Sequence, residues 1–432
     1  MTSQKIKKIR ARQVFDSRGI PTIEVDVTLD GGTIGRSIAP SGASRGKLES
    51  VELRDNDLSM YGGMSVFKAI NLVNDLISKE LTGREVEDQE GIDGVMIELD
   101  GTKNKGRLGG NTIIALSSAV SVAAAKARGM ALFEYIAEKA EMDIKSARMP
   151  LPIVQIIGGG LHGGWNLDVQ DFAFIPIRAR TYSDAMTDVF SIRAQTAKIL
   201  KKYGFENVLV SDEGGIAPHL HSNEQAISIL VDAMEEAGIK PGTDGGIGLD
   251  VAASQLFSGG KYNLGIDDKH LSTDEMISML EKWVERYPIL SIEDGLSEDD
   301  WDGWVNLTRR LGNKVQIIGD DLFVTARTLL LKGIDLKCAN AILIKPNQVG
   351  TITETIETMK IAFKNNFKTI VSARSGDTED NYIADFAVGT NAGQIKIGAN
   401  TRSERLSKYN QLLRIEEVLA NNNISEIEFS HE

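Results

Sequence analysis

The chain has 432 residues, 42% of them hydrophobic and 25% charged, with a formal net charge of -13. That length exceeds one ordinary domain, and the composition is that of a globular protein with a full buried core, which excludes general disorder. The acidic balance, with no Lys/Arg block longer than a few residues, argues against a nucleic-acid partner, and no window nears the roughly 18 uninterrupted apolar residues of a membrane span.

The N-terminal stretch Met-Thr-Ser-Gln-Lys-Ile-Lys-Lys is basic and leads into a polar strand pattern in place of an apolar signal core. With a single cysteine, Cys338, this points to a reducing, cytoplasmic location. Cys338 has no histidine near it in the sequence and reads as packing. Residues 5–40 alternate in the strand manner, as in Thr22-Ile23-Glu24-Val25-Asp26-Val27, and Asp30-Gly31-Gly32 reads as a hairpin turn. Pro40-Ser-Gly-Ala-Ser-Arg-Gly46 is too long for a tight turn. A plain surface loop is the commoner outcome for such a segment, and a loop that folds over a ligand is the alternative. Apolar periodicity predicts helices over 66–81 and 111–128, the second with Leu116, Val120 and Ala124 on one face. Residues 1–140 thus read as a small α+β domain, with a boundary within 145–152.

The second domain, 145–432, opens with an apolar run over 151–157 and the cluster Gly158-Gly-Gly-Leu-His162-Gly-Gly164. Glycines this dense serve close backbone approach, to a strand or to a ligand. A strand over 172–176, a helix over 183–203 and the segment 208–215 with Asp212-Glu213-Gly-Gly follow. From about residue 245, short apolar runs end in Asp250, Glu293, Asp320, Lys345, Arg374 and Lys396, at steps of 43, 27, 25, 29 and 22 residues. This is the period of a strand plus a crossover helix, and such units close into a barrel whose chemistry sits at the C-terminal strand ends.

Asp250, Glu293 and Asp320 offer hard oxygen ligands on three successive strands, a set that suits Mg²⁺. The bland reading is that an acidic residue after a strand caps the next helix, but capping does not require all three to fall in phase. Lys345 and Lys396 are surface lysines by default, yet at a rim beside a metal such a lysine acts as a general base. Arg374 and Ser375 supply a forked cation and a hydroxyl, a natural phosphate clamp. Glu213 is an acid or a turn carboxylate. His162 is the best placed of the five histidines, whereas His219 and His221 read as solvated.

The stretches "FDSRGIPTIEV", "PSGAS", "SDEGGIAP", "SIED", "GDDL", "IKPNQVGTITE" and "RSGDTEDNYIADFAVG" stand in an order that resembles the enolase (phosphopyruvate hydratase) family over essentially the whole chain. The resemblance implies an N-terminal α+β capping domain, a modified eightfold α/β (TIM-like) barrel that begins with an antiparallel hairpin, two Mg²⁺ ions, and a homodimer or larger homo-oligomer. It implies a magnesium-dependent carbon–oxygen lyase of glycolysis that interconverts 2-phosphoglycerate and phosphoenolpyruvate. Carried over by position, Asp250, Glu293 and Asp320 match the ligands of the first magnesium and Ser44 a ligand of the second. Lys345 matches the base at C2, and Glu213 and Asp171 match the carboxylates at the departing hydroxyl. Lys396 matches the contact to the substrate carboxylate, Arg374 and Ser375 the contacts to its phosphate, and His162 and Asp171 further substrate contacts.

The pattern breaks inside the site. Ala373 stands at a histidine position, Asp171 at a glutamate, Gly158 at an asparagine, Asp377 at a glutamate and Pro346 at a valine, while Arg45 and Leu48 alter the loop. Moving a catalytic group by about 1 Å costs roughly 100-fold in rate, so shortening Glu to Asp matters. Two alternatives follow: the same α-proton chemistry on a different phosphorylated or phosphonylated carboxylic acid, or a non-catalytic binding protein that keeps the fold.

Overall fold

The computed structural model describes residues 4–205 and 209–421. Val208, in the predicted segment 208–215, lies outside the described residues, as do 1–3 and 422–432 of the two predicted domains.

Strands β1 (Ile6–Phe15), β2 (Pro21–Leu29) and β3 (Ile34–Ile38) form an antiparallel sheet, joined at the predicted turn after Leu29. The helix Gly110–Arg128 packs across this sheet. Its close approach depends on Gly35, where a Cβ would lie 2.2 Å from the Ala119 carbonyl oxygen and 2.3 Å from the Ala123 nitrogen. The predicted helix over 66–81 is one helical run with a π-helical centre, Leu72–Ile77, between α-helical ends. Gln89–Asp100 and Leu132–Ala140 are helices that the apolar periodicity does not single out.

The second half closes eight strands into a barrel. β4 (Leu151–Gly158) and β5 (Asp171–Ile175) run antiparallel, β5 runs antiparallel to β6 (Gly246–Asp250), and all remaining neighbours are parallel. A small sheet of β7 (Phe257–Ser258), β8 (Lys261–Leu264) and β9 (Lys269–Leu271) fills the longest step of the βα period. β10 (Ile289–Glu293), β11 (Gln316–Gly319), β12 (Ala341–Ile344), β13 (Lys368–Ser372) and β14 (Gly393–Gly398) complete the circle, with β14 pairing back onto β4. Alternation sorts the side chains: Leu151 and Ile153 of β4, Ala341 and Leu343 of β12 and Ile370 of β13 fill the barrel, while Val154, Ile342, Ile344 and Val371 face the helices outside. The interior is therefore dry and packed, and polar groups collect at the rim.

The crossover helices carry their own start signals. Thr273–Arg286 has the capping box of Ser272 and Glu275, Asp300 caps Trp301–Leu311, and Thr351 caps Ile352–Lys364. Cys338 is buried, with its thiol 3.7 Å from the Trp301 carbonyl, and His219 and His221 are exposed. Among the described residues no single helix is long and apolar enough to cross a membrane.

Gly35→Ala forces the sheet off the helix Gly110–Arg128. Urea denaturation should show a loss of about 1–3 kcal/mol, the range for overpacking a tight contact; an unchanged midpoint would mean that the two layers separate without cost.

Candidate active site at the barrel rim

Register sets the site. Asp171 pairs with Asp250, and Asp250 pairs with Glu293, so three carboxylates stand side by side on β5, β6 and β10. Neighbouring strands lie about 4.8 Å apart, and like charges so placed repel. Because β5 runs the opposite way, its first residue reaches the rim where the parallel strands end. Lys396, from β14 across the barrel, answers all three: Nζ lies 2.7 Å from Asp250 Oδ2, 2.8 Å from Glu293 Oε2 and 3.1 Å from Asp171 Oδ2. Beside them, Lys345 Nζ donates to Asp320 Oδ2, and Gln348 Nε2 donates to Asp320 Oδ1 at 2.9 Å.

None of the three predicted acidic ligands caps a helix. The helices after them begin at Ala252, Asp300 and Ala326. Instead the backbone enters the left-handed region at non-glycine residues just past the strand ends: Ala252 (φ 48°), Asp294 (42°), Val324 (40°) and Thr325 (57°). Such conformations are costly, above all for β-branched Val and Thr, and cluster where a site needs its groups aimed.

More acid than base is buried here. Burial, then Asp250, pushes the Glu293 carboxyl well above its ordinary range. Asp294 is likewise pushed up, first by burial and then by Asp321, and Asp321 reaches about 8 through burial and Asp320. Burial opposes the charge of Lys396, yet Asp250, Glu293, Asp171 and Glu213 together raise it well above the ordinary lysine value. Burial opposes the charge of Lys345 too, and Asp320 and Glu293 together outweigh it. Glu293 Oε1 is buried and has no hydrogen-bond partner. An orphaned carboxylate oxygen in an acid-rich, three-strand row fits a hard divalent cation. The tightest acidic grouping is a different one, Asp294, Asp320 and Asp321, with ligand atoms within 4.8 Å of one another. Asp294 is a poor ligand, however, since its two oxygens already accept the backbone N–H groups of Asp320 and Asp321 at 2.9 Å each.

His162 sits in the short helical turn Leu161–Gly163, buried, with Nδ1 3.8 Å from Asp212 Oδ2. Burial disfavours its charged form, but Asp212, Glu213 and Asp171 outweigh that and raise its pKa. Both Glu213 and Asp171 therefore lie within electrostatic reach of His162 and Lys396. Asp171 Oδ1 accepts from Gln155 Nε2, and Gln155 Oε1 in turn takes Ser211 Oγ at 3.0 Å and the Gly215 N–H at 2.9 Å. Gln170 Nε2 donates to Asp250 Oδ2 at 3.0 Å.

On the far side, Arg374 and Ser375 meet the loop of the first half. Ser375 Oγ accepts the Ala43 N–H at 2.8 Å, and Ser41 and Gly376 exchange two backbone bonds of 2.8 Å. Ser44 enters through its carbonyl, which takes Arg374 Nη2 at 3.1 Å. Buried Arg405 donates to the carbonyls of Arg374 and Ser375 at 2.6 Å each and fixes their backbone. The structure thus brings Asp171, Asp250, Glu293, Asp320, Lys345 and Lys396 together, with His162 and Glu213 beside them and Arg374, Ser375 and Ser44 under the loop. Residue-type reasoning misses Gln155, Gln170, Gln348, Arg405 and Glu49. Gln170 adjoins Asp171 and Glu49 adjoins Leu48, and that adjacency was the available signal.

The chain matches two family models end to end: Enolase, N-terminal domain, over residues 6–136, and Enolase, C-terminal TIM barrel domain, over residues 146–428.

Calorimetric titration with Mg²⁺ should show binding by the wild type that Glu293→Gln loses. At a hundredfold excess over Kd the ion adds about 2.7 kcal/mol to wild-type stability. Without the ion, Glu293→Gln should be no less stable than wild type, since it removes a charge that burial already disfavours. Equal Mg²⁺ affinity in the two proteins would remove Glu293 from the ligand set.

Proposed function

This chain belongs to the enolase family, and from that premise we propose that it is a magnesium-dependent carbon–oxygen lyase that interconverts 2-phosphoglycerate and phosphoenolpyruvate. The observation that carries the reading is the in-register row Asp171, Asp250 and Glu293, with buried Lys396 against it and half-buried Lys345 beside it on Asp320. A proton beside a carboxylate is very weakly acidic, so its removal calls for fixed positive charge around the dianion that forms, each well-placed contact being worth on the order of 3 kcal/mol.

Asp250, Glu293 and Asp320 would hold the first Mg²⁺, and Ser44 would contribute to a second. Bound there, the ions would supply Lewis acidity toward the carboxylate and phosphate oxygens. Lys345 keeps its proton here mainly through Asp320, with Glu293, against burial and the neighbouring charges of Arg374 and Lys396. With that partner engaged elsewhere, Lys345 is the group suited to take the C2 proton. Lys396 orients the substrate carboxylate. Glu213 and Asp171, with His162, stand on the side where the C3 hydroxyl leaves as water. Arg374 and Ser375 hold the phosphate, and the segment 40–50 excludes water once closed.

A second reading keeps the chemistry and changes the acid. Ala373 offers no polar group beside Arg374, and Asp171 is one methylene short with both oxygens already engaged, by Gln155 and Lys396. These favour a different phosphorylated or phosphonylated acid. We further propose a homodimer in the cytoplasm. Support for a second copy comes from the exposed apolar side chains Phe15, Leu58 and Tyr61 of the first half, with the Phe15 and Tyr61 rings in contact at 5.9 Å.

Phosphoenolpyruvate formation with Mg²⁺ should be at least 100-fold faster in wild type than in Lys345→Ala, in the range for loss of a general base. No turnover above Lys345→Ala on 2-phosphoglycerate, with turnover on a phosphonate analogue, would select the second reading; none on either would overturn both.

A further inference from the structure

Arg374 already has an anion. Its Nη1 donates to Glu49 Oε2 at 2.9 Å and its Nη2 to Glu49 Oε1 at 3.2 Å. Both side chains are buried, at 3% and 4% exposure. Gln348 Nε2 adds a contact to Glu49 Oε1 at 3.3 Å. The loop can approach this closely only because residue 42 is glycine: a Cβ there would lie 1.9 Å from Arg374 Nη2. A carboxylate in forked contact with a guanidinium uses the same donors that a phosphate uses.

The geometry points to Glu49 as an internal competitor that occupies Arg374 in the empty enzyme and must be displaced by the phosphate of the substrate. This rests on the reading of Arg374 as the anion clamp. Displacement of a buried carboxylate is tolerable only if it keeps a cation. Arg45 supplies one. Its Nε lies 3.9 Å from Glu49 Oε2, its Nη1 lies 3.7 Å from Glu52 Oε2, and its Nη2 donates to the Ser50 carbonyl at 2.7 Å. Arg45 is thus held by the loop itself and is about one-third exposed, on the outer side of Glu49. Meanwhile the Lys47 N–H bonds Glu298 Oε2 at 3.0 Å and its Nζ pairs with Asp299, so the segment keeps its anchor while Glu49 changes partner. Arg45 is then a positioning residue that acts through Glu49. The arrangement also sets a charge threshold. A dianionic phosphoryl or phosphonyl group outcompetes a single carboxylate, whereas a monoanion does not, so the site selects dianions.

Calorimetric titration of the full chain with inorganic phosphate, in mildly alkaline buffer at fixed Mg²⁺, tests this. Glu49→Gln should bind phosphate about tenfold more tightly than wild type, a gain that mere structural damage does not produce. Should Glu49→Gln fail to fold by circular dichroism, Glu49→Asp, which keeps the charge but withdraws it from Arg374, should show a smaller gain. Arg45→Ala should weaken binding several-fold in wild type and have no effect in Glu49→Gln. Unchanged or weaker binding by both Glu49 variants, with Arg374→Gln still abolishing it, overturns the competitor role and leaves the clamp standing. Binding that survives Arg374→Gln overturns the clamp reading itself. An equal loss from Arg45→Ala in both backgrounds overturns the hand-over to Arg45.

Discussion

Like charges held at one level of a sheet are the constraint from which the rest of this molecule follows. Asp171, Asp250 and Glu293 are fixed by strand pairing, and no rotamer change can spread them over the rim. Each buried ion forfeits several kcal/mol of hydration, so the row persists only with cations pressed against it. In this structure Lys396 is that cation, reaching across the barrel mouth, and Lys345 does the same for Asp320. Two ammonium groups do not balance the acids gathered here, and burial, followed by their acidic neighbours, pushes the carboxyls of Glu293, Asp294 and Asp321 up. An acid surplus at the mouth of a close-packed barrel suits a divalent ion.

The loop of the first half completes this balance. Glu49 and Arg374 form a buried pair across the two halves of the chain, so the rim is covered by its own counterions on both sides. The departures from the enolase pattern fall on this covering and on the leaving-group side: Arg45 beside Glu49, Ala373 beside Arg374, Asp171 between Gln155 and Lys396. Asp250, Glu293 and Asp320 and the two lysines carry none.

The barrel was legible because its period is physical: Asp250 and Glu293 end β6 and β10, Asp320 and Lys345 directly follow β11 and β12, and the steps between Asp250 and Lys396 match a strand and its crossover, although Arg374 lies two residues past β13 and Lys396 stands inside β14. The helix over 111–128 was legible from its apolar periodicity, although in the structure it is buried on nearly every side and packs on the first sheet and on neighbouring helices. The antiparallel β5 was not. A rule that looks at strand ends passes over Asp171, which begins its strand, and only likeness to the family placed it in the site. The small sheet of β7 to β9 hid inside the 43-residue step. Glu49, Gln155 and Gln348 matter through partners 16 to 325 residues away, and no local pattern reports such pairs.

The central claim is that Lys345 removes the proton at C2 under the charge gathered on this rim. Exchange of that proton with solvent, followed by NMR of 2-phosphoglycerate in deuterium oxide with Mg²⁺, isolates the step from loss of water and so from the altered Asp171 side. The account predicts deuterium incorporation at C2 by the wild type, retained by Asp171→Asn and abolished by Lys345→Ala. Incorporation that persists in Lys345→Ala, or that vanishes in Asp171→Asn while Lys345 is intact, would contradict it.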